Sequence, residues 1–222
     1  MKLEEKLSSF NFINNRAYVH SSTIIDFIWK NIKKFFPNNH KHLIFMDIKF
    51  HQELKKNAKF IVFDQYQDIS KIKNLSVESR IYSENLKLYI YLVEDQNSDI
   101  LNSIELDYSV TEMVVSSDYS GSCIISAENS FTMISNIIEA NKRIHELTHL
   151  QKEKLKVINL YMKRFPISML DSKLTKLKTL ISNIGISNFK GNNTTLNRIE
   201  LVDYNKFSFE IAFLIKKLGN AK

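Results

Sequence analysis

Apolar residues fall along the chain in two long helix-like clusters, each followed by a run of strand-like segments. In the first, Thr23-Ile-Ile-Asp26 opens a helix, with Thr23 placed to cap the backbone and Asp26 to close a capping box. Ile24, Ile25, Phe27, Ile28, Trp29, Ile32 and Phe35 occupy more than one face, and Pro37 follows the end. A helix so patterned needs burial on several sides. Strand-like runs come next at residues 43–50, 59–63, 75–82 and 86–93, separated by polar turns such as Ser83-Glu84-Asn85. A short segment with Leu7, Phe10 and Phe12 precedes this set.

The order then repeats. A long strand-like run at residues 104–117 leads to the turn Asp118-Tyr119-Ser120-Gly121, in which Gly121 is expected to supply backbone freedom. A second helix is expected with Ser126 as its cap and Phe131, Ile134, Ile137, Ile138 and Ile144 on its apolar side. Strands are predicted at 155–164, 174–186, 197–203 and 207–215, with Tyr204-Asn205-Lys206 as a turn. One helix and about four strands at half-chain spacing make an internal repeat. The expected units are 1–100 and 101–222, packed as one globular domain. An antiparallel sheet curling round each helix would cover it, so the fold class is α+β.

Composition narrows the partners. The chain has 222 residues, enough for a sizeable core, and its apolar segments are interrupted well short of the roughly 18 residues of a membrane helix. No membrane span is expected. Met1-Lys2-Leu3-Glu4-Glu5-Lys6-Leu7 does not read as a secretory signal, which points to a cytoplasmic protein. Cys123 is the sole cysteine, so an internal disulfide and a cysteine metal site are excluded; it is expected as a small buried hydrophobe. The net charge is +7; residues up to 110 carry 15 basic and 14 acidic side chains, and the rest carry 16 and 10. An acidic partner and a source-wide bias towards Lys, Asn and Ile explain the overall charge equally, and its concentration in the C-terminal half suits a localised basic face. No basic helix or aromatic-basic motif supports nucleic-acid binding, and no Gly-rich phosphate loop is present.

Two stretches, Asn14-Asn-Arg-Ala-Tyr-Val-His20-Ser-Ser-Thr-Ile-Ile-Asp26-Phe-Ile-Trp29 and Asp118-Tyr-Ser-Gly121-Ser-Cys-Ile-Ile-Ser-Ala-Glu128-Asn-Ser-Phe131, carry a resemblance to the hotdog superfamily. They resemble the strand, turn and helix start of its fused double-hotdog members, which act on acyl thioesters. The resemblance runs through the order of elements over nearly the whole chain. It implies a double hotdog, and a dehydratase or thioesterase acting on acyl groups carried by coenzyme A or an acyl carrier protein. The A-factor-biosynthesis type of double hotdog is a third type that the chain resembles. Dehydratases of the superfamily pair a His of one half with an Asp or Glu on the helix of the other, which implies His20 with Glu128. His20 to Asp26 is also similar to the His-Pro-x-x-x-x-Asp stretch of polyketide dehydratase domains, without its Pro. Thioesterases of the superfamily place a carboxylate or polar group near the helix start, where Asp26, Asp118 or Glu128 can serve. Ser122 stands where such families often carry His, which puts a symmetric pair of sites in doubt.

From the residues themselves, a helix start offers unpaired N–H groups and partial positive charge, suited to a thioester carbonyl on which negative charge develops. Ser22, Thr23 and Ser126 mark these places. His20 reads as a general base or as a turn residue, Asp26 as catalytic or as a cap partner, Glu128 as catalytic or as favoured by the helix dipole, and Asp118 as a turn former first. Lys152, Lys154, Lys156, Lys163 and Arg164 are the candidate carrier-binding residues. His145 and His149 read as solvated positions at a helix end, His40 and His42 as a polar loop, and Trp29 as core. Neither a metal nor a cofactor is expected. The competing reading is a non-catalytic hotdog protein that binds an acyl ligand or supports a biosynthetic enzyme partner.

Overall fold

The computed structural model describes residues 1–14, 16–38, 40–100, 102–148, 155–171, 176–189, 192–202 and 208–217. The chain divides into two units, Met1–Asp107 with Ile167–Leu170 and Tyr108–Pro166 with Asp171–Lys222. Among the described residues, unit 1 contains β1 (Lys2–Ser8), β2 (Phe12–Ile13), α1 (Ser21–Phe35), β3 (Phe45–Phe50), β4 (Lys56–Phe63), β5 (Leu75–Tyr82), β6 (Lys87–Asp99) and β7 (Ser103–Ile104). Its antiparallel sheet runs in the order β1-β4-β6-β5-β3, while β2 and β7 form a short parallel pair. Alternation places Ala58, Phe60 and Val62 of β4 inward and Lys59 outward. Phe60 meets both Phe27 and Phe35 of α1, with ring centroids 5.6 and 6.4 Å apart. Ile24, Ile25, Ile28, Trp29 and Ile32 are buried, so the all-round apolar pattern of α1 reflects burial on several sides.

Unit 2 contains β8 (Val110–Val115), β9 (Gly121–Ser126), α2 (Ser130–Thr148), β10 (Leu155–Pro166), β11 (Lys176–Phe189), β12 (Asn192–Leu201) and β13 (Ser208–Lys217). Its antiparallel sheet has the order β10-β13-β12-β11-β9-β8. Helix α2 buries Met133, Ile134, Ile137, Ile138, Ala140 and Ile144 and lies against β8, β9 and β10. The tandem helix-and-antiparallel-sheet plan expected from the repeat is thus present.

Several local expectations are corrected. The single strand at 104–117 is two, β7 and β8, separated by an irregular stretch. The N-terminal segment is strand β1, paired with β4 in the register Leu7↔Lys59. In the turn after β8 it is Tyr119, at φ 63°, that takes the left-handed conformation. Gly121 answers to space: a Cβ there would lie 2.4 Å from the Val114 carbonyl oxygen and 3.0 Å from Ile144 Cδ1. His149 and the turn 204–206 lie outside the described residues.

Candidate active site at the start of helix α1

Val19 donates its backbone N–H to the Leu54 carbonyl at 2.8 Å and so fixes the chain as it approaches α1. His20 is the N-cap, in extended backbone geometry (φ −68°, ψ 146°), and its carbonyl accepts from Ile24 N–H. Its side chain is 3% exposed. Nδ1 lies 2.7 Å from the hydroxyl of buried Ser22, and this bond orients the ring. Ser21, Ser22 and Thr23 form the first helical turn, whose N–H groups have no partner within the helix.

The expected capping box is absent because α1 begins two residues before Thr23. Ser21 and Ser22 are small and polar enough to enter the first turn, which moves the cap to His20. Thr23 Oγ1 is buried without a hydrogen-bond partner among the described residues, and Asp26 pairs with Lys30 at 2.7 Å in the second turn. The first turn contains no acidic residue. Ser22 and Thr23 therefore sit at the helix start as expected, while Asp26 is drawn to a cation on its own helix.

In unit 2 the start of α2 is capped by Asn129, whose Oδ1 accepts from Thr132 N–H at 3.0 Å. Thr132 Oγ1 accepts in return from the N–H groups of Glu128 and Asn129. Ser126, expected as the cap, ends β9 instead; its N–H bonds to Ser109 and its carbonyl to Asn136. Glu128 is exposed just before the helix, and Ser122 is half-buried on β9. Asp118 is exposed and accepts from the Ser116 hydroxyl at 2.5 Å and from Ser120 N–H and Oγ. These bonds, that from Ser116 foremost, hold its carboxyl below the usual carboxylate range. Asp118 is thus a turn-forming acceptor that stays ionised at neutral pH.

Lys163 and Arg164 are exposed on β10. Lys152 and Lys154 lie outside the described residues, as does the side chain of Lys156. Cys123 is buried and its thiol is pushed up to about 11 by burial. Trp29 is core, 3% exposed, and packs its ring 6.0 Å from that of His40, which with His42 forms a short 3-10 turn. A cavity of about 400 Å³ in unit 1 is lined by His42, Ile44, Ser83, Glu84, Asn85 and Leu86, and contains none of the predicted site residues. Among the described residues, no helix is long and apolar enough to cross a membrane.

Solved structures resembling this arrangement are numerous. A conserved protein of unknown function with hot dog fold from Alicyclobacillus acidocaldarius superimposes with TM-score 0.52 at 7% identity, covering 96% of this chain and 92% of that one. The fold is a double hotdog. The dehydratase domain of RzxB from Pseudomonas fluorescens shares this hotdog architecture with TM-score 0.51 and 10% identity, over 96% of this chain and 94% of that one. A putative oleoyl thioesterase from Lactobacillus plantarum matches with TM-score 0.50 and 10% identity, over 96% of each chain. No protein-family model and no curated protein matches the sequence.

Sequence reasoning missed one buried constellation of the second hotdog unit. His145, expected to be solvated, is fully buried on α2 between the rings of Tyr119 and Phe213, because the Ser116–Ser120 turn folds over that part of the helix. It bonds to the Asn141 carbonyl and to Thr195 Oγ1, and Asn197 bonds to Asn141. The readable signal was the pairing of polar positions four apart on a helix with polar positions two apart on a strand.

Proposed function

We propose that this double hotdog processes acyl thioesters, removing water from a hydroxyacyl group or hydrolysing the thioester, with His20 as general base. The observation that carries the reading is the position of His20: a buried imidazole, oriented by Ser22, at the start of a buried helix. A thioester carbonyl at the first turn would receive N–H donors and the positive end of the helix dipole as charge develops on its oxygen. A base beside that carbonyl can take a proton from the adjacent carbon or from water. The dehydratase and thioesterase names among proteins of this fold agree with that chemistry. The proposed carboxylate partner is Glu128 of the second unit, with Asp26 or Asp118 as alternatives. The proposed carrier is coenzyme A or an acyl carrier protein, met by the basic residues Lys152, Lys154, Lys156, Lys163 and Arg164, and the proposed location is the cytoplasm.

The alternative, a hotdog protein that binds an acyl ligand or supports an enzyme partner without catalysis, is favoured by the ion pair that occupies Asp26 and by Ser122 in place of a second histidine. Turnover of a panel of 3-hydroxyacyl and acyl thioesters separates the readings. Wild-type protein is expected to turn over at least one of them, and His20→Ala to lose roughly 10²–10⁴-fold in rate with its circular dichroism unchanged. Equal turnover by the variant removes His20 from the chemistry. No turnover by wild type, with acyl ligands bound, selects the alternative.

A further inference from the structure

The hydrogen-bonded network inside unit 2 leaves a donor and an acceptor unmatched whichever way its two amides are flipped. Asn141 and His145, four apart, share a face of α2, and Thr195 and Asn197, two apart, share a face of β12. All four are at most 1% exposed. The Asn141 carbonyl can only accept, so the His145 nitrogen 2.7 Å from it carries a proton, and Nε2 lies 2.5 Å from Thr195 Oγ1. Asn197 Nδ2 donates to Asn141 Oδ1 at 2.8 Å. That leaves Asn141 Nδ2 and Asn197 Oδ1 buried without partners among the described residues.

Turning one amide over sets like atoms against each other. Turning both restores a single bond and again leaves one donor and one acceptor unmatched. Burial of such a pair without compensation is strongly unfavourable, since each atom forfeits its bonds to solvent. One small, neutral molecule that accepts from the unmatched amide N–H and donates to the unmatched amide oxygen would satisfy both atoms at this buried helix–sheet interface. Water meets these conditions and is the ordinary companion of buried polar groups.

We propose that unit 2 contains an internal water-binding site between α2 and β12, where a water molecule accepts from Asn141 Nδ2 and donates to Asn197 Oδ1. The decisive test is a crystal structure of the wild-type chain at a resolution that shows ordered solvent. A single peak within about 3.2 Å of both atoms is expected. Amides in these positions with no density between them, or density too large for water, would overturn the assignment. In solution, oxygen-17 relaxation dispersion counts long-lived internal waters. The Asn141→Leu/Asn197→Leu variant is expected to hold fewer than wild type, and an equal count in a folded variant contradicts the site. The diffraction result stands whether or not that variant folds.

Discussion

A methyl group at Gly121 has nowhere to go, because the Val114 carbonyl approaches from the neighbouring strand and Ile144 from the helix. Gly121→Ala is therefore expected to lower stability by about 1–3 kcal/mol in urea unfolding, through overpacking. Two residues on, Cys123 ionises in the folded chain only near pH 11, against an ordinary 9. Its contribution to stability is complete below pH 9 and is lost as pH rises from 9 to 11, where the unfolded thiol ionises first; the loss is on the order of 2 kcal/mol. Cys123→Ala should remove that part of the alkaline decline, and the native thiol should resist disulfide reagents at pH 8. Rapid labelling without unfolding would contradict its burial. At the start of α2, Asn129→Ala is expected to cost about 1 kcal/mol by loss of the cap, readable as a lower denaturation midpoint.

Among elements, the helices and the longer strands were readable because their apolar positions reach a buried surface at a fixed period. The exceptions have physical causes. Strand β1 is half-exposed at the end of its sheet, so Lys2, Glu4, Glu5 and Lys6 mask its alternation. Strand β9 is short, and its Ser126 looks like a cap because serine suits both positions. The start of α1 was misplaced because Ser21, Ser22 and Thr23 offer three successive capping side chains, whereas the backbone selected His20. Of the candidate site, the helix start at His20 and Ser22 was legible from sequence; the bond between them and the ion pair at Asp26 needed coordinates. The contact between α1 and β4 seats the helix that carries the site. Phe60→Ala should destabilise by about 3–5 kcal/mol, measured by chemical denaturation, since it removes the ring against which Phe27 and Phe35 pack.

At the scale of the molecule, the repeat conceals a difference in how the two helices are held. Aromatic contacts with β4 and a hydrogen bond from Lys6 of β1 to Asn31 seat α1, while α2 carries a row of four buried polar side chains shared with β12. Unequal halves of this kind fit a protein in which the first unit supplies the proposed base. If the basic half meets an acidic carrier, Lys163→Glu with Arg164→Glu should weaken carrier binding several-fold at low salt, and the difference should shrink at high salt. Equal binding by titration calorimetry at low ionic strength would remove these two residues from the interface. The units are also interleaved along the chain: residues 167–170 belong to the first, where Ile167 donates its N–H to the Ile44 carbonyl, although the second begins at Tyr108. A ribosome therefore adds residues 167–170 to the first unit only after Tyr108–Pro166 of the second have been made. A fragment ending at residue 107 would emerge without the backbone donor that the Ile44 carbonyl meets in the full chain.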